Sequence, residues 1–303
     1  SSYGSKLPQH FSGELNILGI PRNKFISVDH HLSHAFGTYF LSPFDDALII
    51  VIDGQGNNND TESYYVGEGQ ILKKIGGNPT NRNPAKGIGR VYEAFTNFIG
   101  WIDQEAGKTM GLAGYGDASQ VNIPLFELKG DSVIGTLEHK YEKGVLEFIK
   151  KYSLDFGPAY SKGASPGSKI AAAYVQKETE RIMAELVRAL IMNTGKRKVC
   201  LTGGVALNCN ANAKLLIDKI VDDLFILPAS SDKGQAIGNA LYGFHLLEGY
   251  CPRNRLRNDY FGRTYSETEI LSTLNRKGGI LEKYVPTHDF KFDKQNDIAK
   301  TVA

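Results

Sequence analysis

KVCLTGGVALN (residues 198–208) reads as a short buried strand, a Gly203-Gly204 turn and a helix opening at about Ala206. A long amphipathic helix precedes it. Ser165 is its N-cap with Pro166 next, and Ala172, Val175, Thr179, Ile182, Leu186 and Ala189 recur at spacings of three and four. Asn193-Thr194-Gly195 supplies a left-handed stop. Downstream, DDLFILPAS (222–230) is a second buried strand, and SDKGQAIGNALYGFHLLEG (231–249) is another turn and helix. Helix, strand, Gly-Gly turn, helix, strand, turn, helix is the order of an α/β nucleotide-binding architecture.

Working outward, DDALIIVIDGQG (45–56) carries an unbroken apolar run from Ala47 to Ile52, the pattern of a strand buried on both faces. It ends in Asp53, and a carboxylate at such a strand end points into a crevice. Two short runs flanking Glu68-Gly69 signal a hairpin. In IGRVYEAFTNFIG (88–100), Ile88, Val91, Tyr92, Phe95 and Phe98 share one helical face. Residues 117–165 show no consistent period and are expected to be an irregular or partly helical insertion. YSETEILSTLNRKGG (265–279) reads as a helix with a capping-box start.

Composition narrows the function classes. The chain has 303 residues, 41% of them apolar, and a net charge of +2, which gives no electrostatic case for nucleic acid, a membrane surface or a polyanion. No apolar run reaches the length of a membrane span. Three cysteines, none in a CxxC pair, fit a reducing compartment, and a cytoplasmic location is expected. The opening SSYGSKLPQH and the closing NDIAKTVA both look like cut edges, so a fragment is expected.

Three constellations bear chemistry. In DHHLSHA (29–35), a helix would set His30 and His34 on one face at i,i+4, a chelating geometry, with His31 about a hundred degrees away. The plain alternative is that clustered histidines cap or decorate a helix start. A metalloprotease is excluded, because HExxH needs Glu where His31 stands. Asp53 and Asp232, both at carboxyl ends of buried strands, would complete a mixed nitrogen–oxygen set suited to Fe, Mn or Zn; Asp232 also suits a helix N-cap. The second constellation, EAGKTMGLAGYG (105–116), fails as a P-loop because Ile102 occupies the first glycine position. Its glycines (Gly107, Gly111, Gly114, Gly116) are expected where something approaches the backbone closely, and Lys108 to bind a phosphate or carboxylate; the plain alternative is a Gly-rich surface loop. The third is the Gly203-Gly204 turn, whose N–H groups are expected to face an anion or nucleotide.

DHHLSHAF, SPFDDALIIVIDGQG, GIGRVYEAFTNFIG, GKTMGLAGYG, GGVALNCNAN and ASSDKGQAIGNALYG follow one another in the order seen in the O-carbamoyltransferase family, and over about residues 15–250 the chain resembles it. This is the family of nodulation protein U and of the cephamycin and tobramycin carbamoyltransferases. The resemblance implies an actin/sugar-kinase-like (ASKHA) duplicated α/β domain, related to the protein that makes threonylcarbamoyl-adenosine in tRNA. The first strands and a YrdC-like C-terminal domain would be missing from it. The resulting division is 1–116, carrying the HxxxH pair and Gly-rich loop; 117–165, an insertion; 166–250, the second α/β half; and 251–303, a linker and the start of a truncated domain. Thr109 and Gly114 stand where the family usually has Val and Pro.

Position by position, the resemblance makes His30, His34, Asp53 and Asp232 the metal ligands, with Fe2+ foremost and Mn2+ or Zn2+ as alternatives. It assigns Gly107, Lys108, Gly203, Gly204, Asn208 and Gly234 to ATP or carbamoyl adenylate, and Lys108 to the active-site cleft. The activity implied is ATP- and carbamoyl phosphate-dependent transfer of a carbamoyl group to a hydroxyl of a small-molecule acceptor, with His31 or His34 as general base. Partners are then the acceptor, carbamoyl phosphate and ATP, with no nucleic acid and no membrane; a homodimer is left open. The competing readings are a tRNA threonylcarbamoyl transferase, a sugar kinase and a nucleotide- and metal-binding module without transfer.

Overall fold

In a computed structural model of the chain, the apolar run at 45–56 is strand β1 (Asp46–Ile52), buried from its second residue onward. The model describes residues 17–281 apart from 18, 20, 22–23, 79–82, 120, 157–161, 254 and 261. The cut-edge expectation for both termini, and the truncated domain beyond 281, lie outside these residues.

Alternation explains why β1 reads as continuously apolar. Ala47, Ile49 and Val51 pack on one face of the sheet with Phe36, Tyr39 and Phe40 of helix α1 (His30–Leu41). Leu48, Ile50 and Ile52 pack on the other with Phe95 of α2 (Ile88–Ile99). Strands β2 (Glu62–Glu68) and β3 (Ile71–Gly77) form the expected antiparallel hairpin, turned at Gly69 with φ +57°. Glu62, fully buried, accepts a hydrogen bond from the Ile88 N–H and so holds the first turn of α2.

The segment 117–165 is more ordered than its pattern suggests. It contains a separate two-stranded sheet, β4 (Phe126–Lys129) and β5 (Ser132–Gly135), and helix α4 (Tyr141–Tyr152). Before it lies α3 (Ala106–Ala113); after it comes α5 (Pro166–Thr194), capped by Ser165 and closed by Gly195 at φ +70° as its sequence requires. Strands β6 (Lys198–Thr202) and β7 (Asp223–Ile226) then add in parallel beside β1, giving the order β3-β2-β1-β6-β7. Segments 46–77 and 198–226 therefore share one sheet, and the described residues contain no duplicate of it.

Because β1, β6 and β7 run parallel, their carboxyl ends lie along one edge. Asp53 leaves β1 there, Gly203-Gly204 leaves β6, and Asp232 follows β7 ahead of helix α7 (Gln235–Glu248). Between β6 and β7 the chain forms α6 (Cys209–Ile217), so the helix begins later than Ala206, after a 3-10 turn over Gly204–Leu207. α1 and α7 cross backbone to backbone: a Cβ on Gly238 would lie 2.0 Å from the Ser33 carbonyl oxygen. That approach brings Asp232 to the histidines. Residues 258–303 form a separate unit in which α8 (Glu267–Leu281) opens on the expected capping box, Ser266 and Glu269 exchanging hydrogen bonds of 2.9 and 3.2 Å.

A candidate metal centre at the strand ends

α1 starts where Asp29, in extended conformation, accepts a hydrogen bond from the Leu32 N–H. The helix then sets His30 and His34 one turn apart, rings 4.9 Å between centroids. His30 Nε2 lies 2.9 Å from Asp53 Oδ2 and 3.2 Å from Asp232 Oδ1; His34 Nε2 lies 3.7 and 3.4 Å from the same oxygens. One ligand atom from each of the four residues fits within 4.8 Å of all the others. Among the described residues this is the group of His, Cys, Asp and Glu side chains that could hold a metal ion.

The donor set fits a divalent cation. His34 Nε2 is buried and makes no hydrogen bond, an orphaned lone pair or N–H that a protein rarely leaves unsatisfied. Burial alone would favour the neutral form of Asp53, but the imidazoles of His30 and His34 and the Gly204 N–H hold its carboxyl well below the usual range. Burial likewise opposes protonation of His30, yet Asp53, Asp232 and Asp29 outweigh it and raise its pKa. A cation is therefore what the paired carboxylates attract. Two neutral imidazoles and two carboxylates suit Fe, Mn or Zn. The cap position of the turn at Asp232–Gly234 is Ser231 and that of the helix after it Gly234, so the capping alternative for Asp232 does not hold.

His31 is separate from this cluster. Its Nδ1 is 2.8 Å from Ser63 Oγ, and its Nε2 is buried without a partner beneath Gly56, where a Cβ would come within 2.7 Å of that nitrogen. Burial drives its pKa down to about 4, against which Asp53 gives only partial support.

The Gly-Gly turn departs from its expected use. Gly203 donates its N–H to the Ser230 carbonyl, and Gly204 donates to Asp53 Oδ1 at 2.9 Å. Both N–H groups are thus spent inside the protein, and the anion that Gly204 faces is the candidate ligand itself. Gly203 has φ +91° and backs onto the Ile52 carbonyl. The Asn208 side chain caps α6 through Ala211 N–H and is locked in a reciprocal amide pair with Gln176 of α5, at 2.9 and 3.0 Å. Gly234, two residues past Asp232, is buried against the Ala229 carbonyl.

The segment expected as a Gly-rich loop is helix α3. Of its four glycines only Gly116, just beyond the helix, is approached closely, by the Lys169 carbonyl; Gly107 and Gly111 have nothing within 4 Å of a Cβ. Lys108 is exposed and pairs with Glu105; no contact with the cluster is seen among the described residues. Thr109 is buried and shares a 2.9 Å hydroxyl hydrogen bond with Thr96. Met110 meets Cys209 sulfur to sulfur at 3.9 Å, which sets α3 beside the start of α6. Sequence reasoning missed the residues that brace this edge: Gln176, Glu62, and Arg90, whose Nε donates to the Gly54 carbonyl at 3.0 Å. Gln176 and Glu62 belong to no motif, and Arg90, although it lies within GIGRVYEAFTNFIG, is set apart there from the apolar face by which that helix is read.

The fold and the cluster define an α/β protein with a two-His, two-Asp candidate metal centre at the parallel strand ends. The chain belongs to the carbamoyltransferase N-terminus family, whose model matches residues 5–241. Nodulation protein NolNO of Sinorhizobium fredii is 33% identical over 84% of this chain and 36% of that protein. A 3'-hydroxymethylcephem-O-carbamoyltransferase of Amycolatopsis lactamdurans is 26% identical over 72% of this chain and 41% of that enzyme. The chain thus spans less than half the length of these relatives. Among solved structures, HypF of T. kodakarensis is similar at 16% identity and a TM-score of 0.48, over 80% of this chain and 39% of that one.

Proposed function

We propose that this chain is the metal- and nucleotide-binding part of an O-carbamoyltransferase with an actin/sugar-kinase-like fold, acting in the cytoplasm. The observation that carries the reading is the convergence of His30, His34, Asp53 and Asp232 at the strand ends of a carbamoyltransferase-family chain. A relative named as an O-carbamoyltransferase favours oxygen as the acceptor atom.

The reaction is attack of an acceptor hydroxyl on the carbonyl carbon of carbamoyl adenylate. A new C–O bond forms, the bond to the adenylate oxygen breaks, and AMP leaves. A divalent ion, Fe2+ foremost and Mn2+ or Zn2+ otherwise, would bind the phosphate and polarise the carbonyl, worth several kcal/mol of charge stabilisation. The chain's residues hold the geometry. Gly204 orients Asp53, Gln176 and Asn208 fix the turn that presents Gly204, and the bare backbones of Gly203 and Gly234 let the turns beside the nucleotide pack against the Ile52 and Ala229 carbonyls. Gly107 and Lys108 face it from α3.

Neither imidazole first considered as a base is free in this arrangement: His34 is a ligand, and His31 Nε2 is enclosed under Gly56. The hydroxyl proton then passes to the departing phosphate, and His31 supports the 53–56 segment from below. Formation of carbamoyl adenylate from ATP and carbamoyl phosphate is assigned to the part of the protein that the relatives possess beyond this chain's span.

The test supplies pre-made carbamoyl adenylate, a divalent ion and a panel of hydroxyl acceptors, and follows AMP release by chromatography. Release that needs both ion and acceptor and vanishes in Asp53→Ala is the expected result. Release no faster than that of Asp53→Ala would overturn the reading, and turnover of ATP with carbamoyl phosphate by this chain alone would overturn the division of labour.

A further inference from the structure

Three elements deliver the four residues of the cluster, and each has a far end. β1 starts just past Phe44 and Asp45 and finishes before Asp53; α1 runs from His30 to Leu41; α7 starts three residues past Asp232 and finishes at Glu248. α1 and α7 share a direction, because their contacts advance together. Gln235 Nε2 donates to the His30 carbonyl at 3.1 Å, Gly238 packs on Ser33 and Gly37, and Phe36 meets Tyr242 edge to face at 4.9 Å. The histidines therefore stand at one end of this helix pair, and Tyr39, nine residues past His30, stands roughly 13 Å further along α1.

That far end is closed by the chain leaving α7. Past Gly249, at φ +75°, the Cys251 N–H donates to Gln70 Oε1 at 2.7 Å, and Gln70 Nε2 donates back to the Cys251 carbonyl at 3.0 Å. A side chain at the hairpin turn thus imitates a strand partner. Arg253 lays its guanidinium 4.1 Å from the centre of the Tyr39 ring and donates to the carbonyls of Phe44 and Gly69. The Leu256 N–H donates to the Leu41 carbonyl at 2.8 Å, one of the acceptors that the end of α1 leaves open. Tyr39 is fully buried, and Gly67 makes room for it: a Cβ there would come within 2.4 Å of the ring. Residues 251–256 thus fasten the end of α1, the exit of α7 and the start of β1 to one another.

Arg253 does more here than a surface ion pair does. Only 18% of its side chain is exposed, and it meets the Asp45 carboxylate no closer than 3.8 Å. Its planar fork is spent on carbonyls from two segments, and its face covers an aromatic ring from a third. Metal coordination tolerates only about 0.2 Å of error in a ligand distance. A small rotation of α7 on α1 about the Gly37–Gly238 contact would carry Asp232 away from His30 and His34, and the strap opposes that rotation at its far end.

We propose that Arg253 is a positioning residue for the four-residue cluster, acting through the far ends of α1, α7 and β1. That the cluster holds a metal rests on the reading above; that Arg253 sets its geometry does not. Arg253→Ala is compared with the parent and with Arg181→Ala, which removes from α5 a guanidinium joined to Glu178, Glu185 and the Phe126 carbonyl. Isothermal titration gives Mn2+ affinity, the visible spectrum of Co2+-loaded protein reports ligand geometry, and hydrogen exchange of chelated protein reports backbone opening. Arg253→Ala is expected to weaken Mn2+ binding about tenfold or more, the effect of an outer partner. It should also shift the Co2+ bands and speed exchange over residues 30–37 and 235–241. Gln70→Ala, the milder variant, should move all three readouts the same way and carries the test if Arg253→Ala does not fold. Arg181→Ala should lower the urea midpoint and leave the cluster's readouts unchanged. Parent-like Mn2+ affinity and Co2+ bands in the strap variants, or equal losses in Arg181→Ala, would overturn the proposal and spare the transfer reading. If the parent binds neither ion, the transfer reading fails and exchange decides the proposal. Faster exchange over 30–37 and 235–241 in the strap variants alone upholds it; a change confined to 39–45 and 67–70 overturns it.

Discussion

A methyl group placed on Gly203 would fall 2.2 Å from the Ile52 carbonyl oxygen, and one on Gly238 2.0 Å from that of Ser33; on Gly107 or Gly111 it would meet nothing within 4 Å. The two groups of glycines look alike in sequence, yet they do opposite things. Those around Asp53 let strands and helices approach until four side chains from distant segments share one space. Those of α3 leave helix backbone bare to solvent. Glycine therefore marks either a close approach already made inside the protein or a surface left open, and local composition does not tell which.

The largest effect should come from breaking the packed side at its ligand. Asp53→Ala is expected to lower Mn2+ or Zn2+ affinity by more than the roughly 10–100-fold typical of an outer partner. Isothermal titration checks this, and an affinity within about tenfold of the parent would mean that the cluster is not a metal site. Next comes Gly203→Ala, which meets both the Ile52 carbonyl and a φ of +91°. It should cost roughly 2–5 kcal/mol in urea unfolding. It should also weaken metal binding, because the Gly204 N–H would shift from Asp53. A loss below about 1 kcal/mol would show that the turn relaxes freely.

Much of this was legible in the residues. β1 announced itself because both of its faces are covered, so no polar residue interrupts Ala47–Ile52. Ser165, Gly195 and the Ser266–Glu269 box each perform a local, self-contained hydrogen-bonding task, and such tasks survive in sequence. His30 and His34 were legible for the same reason, since helical spacing alone makes them neighbours. β4 and β5 were not: four residues each, with a burial pattern too short to establish a period. α3 was obscured by two interior glycines, each costing a helix about 1 kcal/mol, a penalty overridden by its packing on α5. The Gln176–Asn208 pair joins residues 32 apart, a relation that no local pattern encodes.

The pH response sharpens the contrast within the histidine cluster itself. His31 keeps a pKa of about 4 in the folded chain against an ordinary 6.5, because burial penalises its charged form. Between pH 6.5 and 4 the unfolded chain takes up a proton that the folded chain refuses, so stability falls as acid is added, by about 3 kcal/mol. His30, raised by its carboxylates, contributes stability that is complete below its ordinary value and lost only as pH rises through the raised one. It is therefore flat in this window. Urea midpoints of chelated protein at pH 6 and 4.5 should show the slope, and His31→Gln should lose most of it; an unchanged slope would place the buried proton elsewhere.

The smallest effect tests the open side. Gly107→Ala and Gly111→Ala each place a methyl group in empty space on an exposed helix, and each should raise stability by about 0.5–1 kcal/mol. Metal affinity should not move, because α3 makes no contact with the cluster among the described residues. If α3 turns its bare backbone to the nucleotide, the same methyl groups stand in the ligand's way, and nucleotide affinity should fall while the protein becomes harder to unfold. Gain in stability with loss of binding is the signature of a glycine kept for what it admits. A gain in stability with nucleotide affinity unchanged would remove Gly107 from the site and leave Lys108 as the surface partner of Glu105.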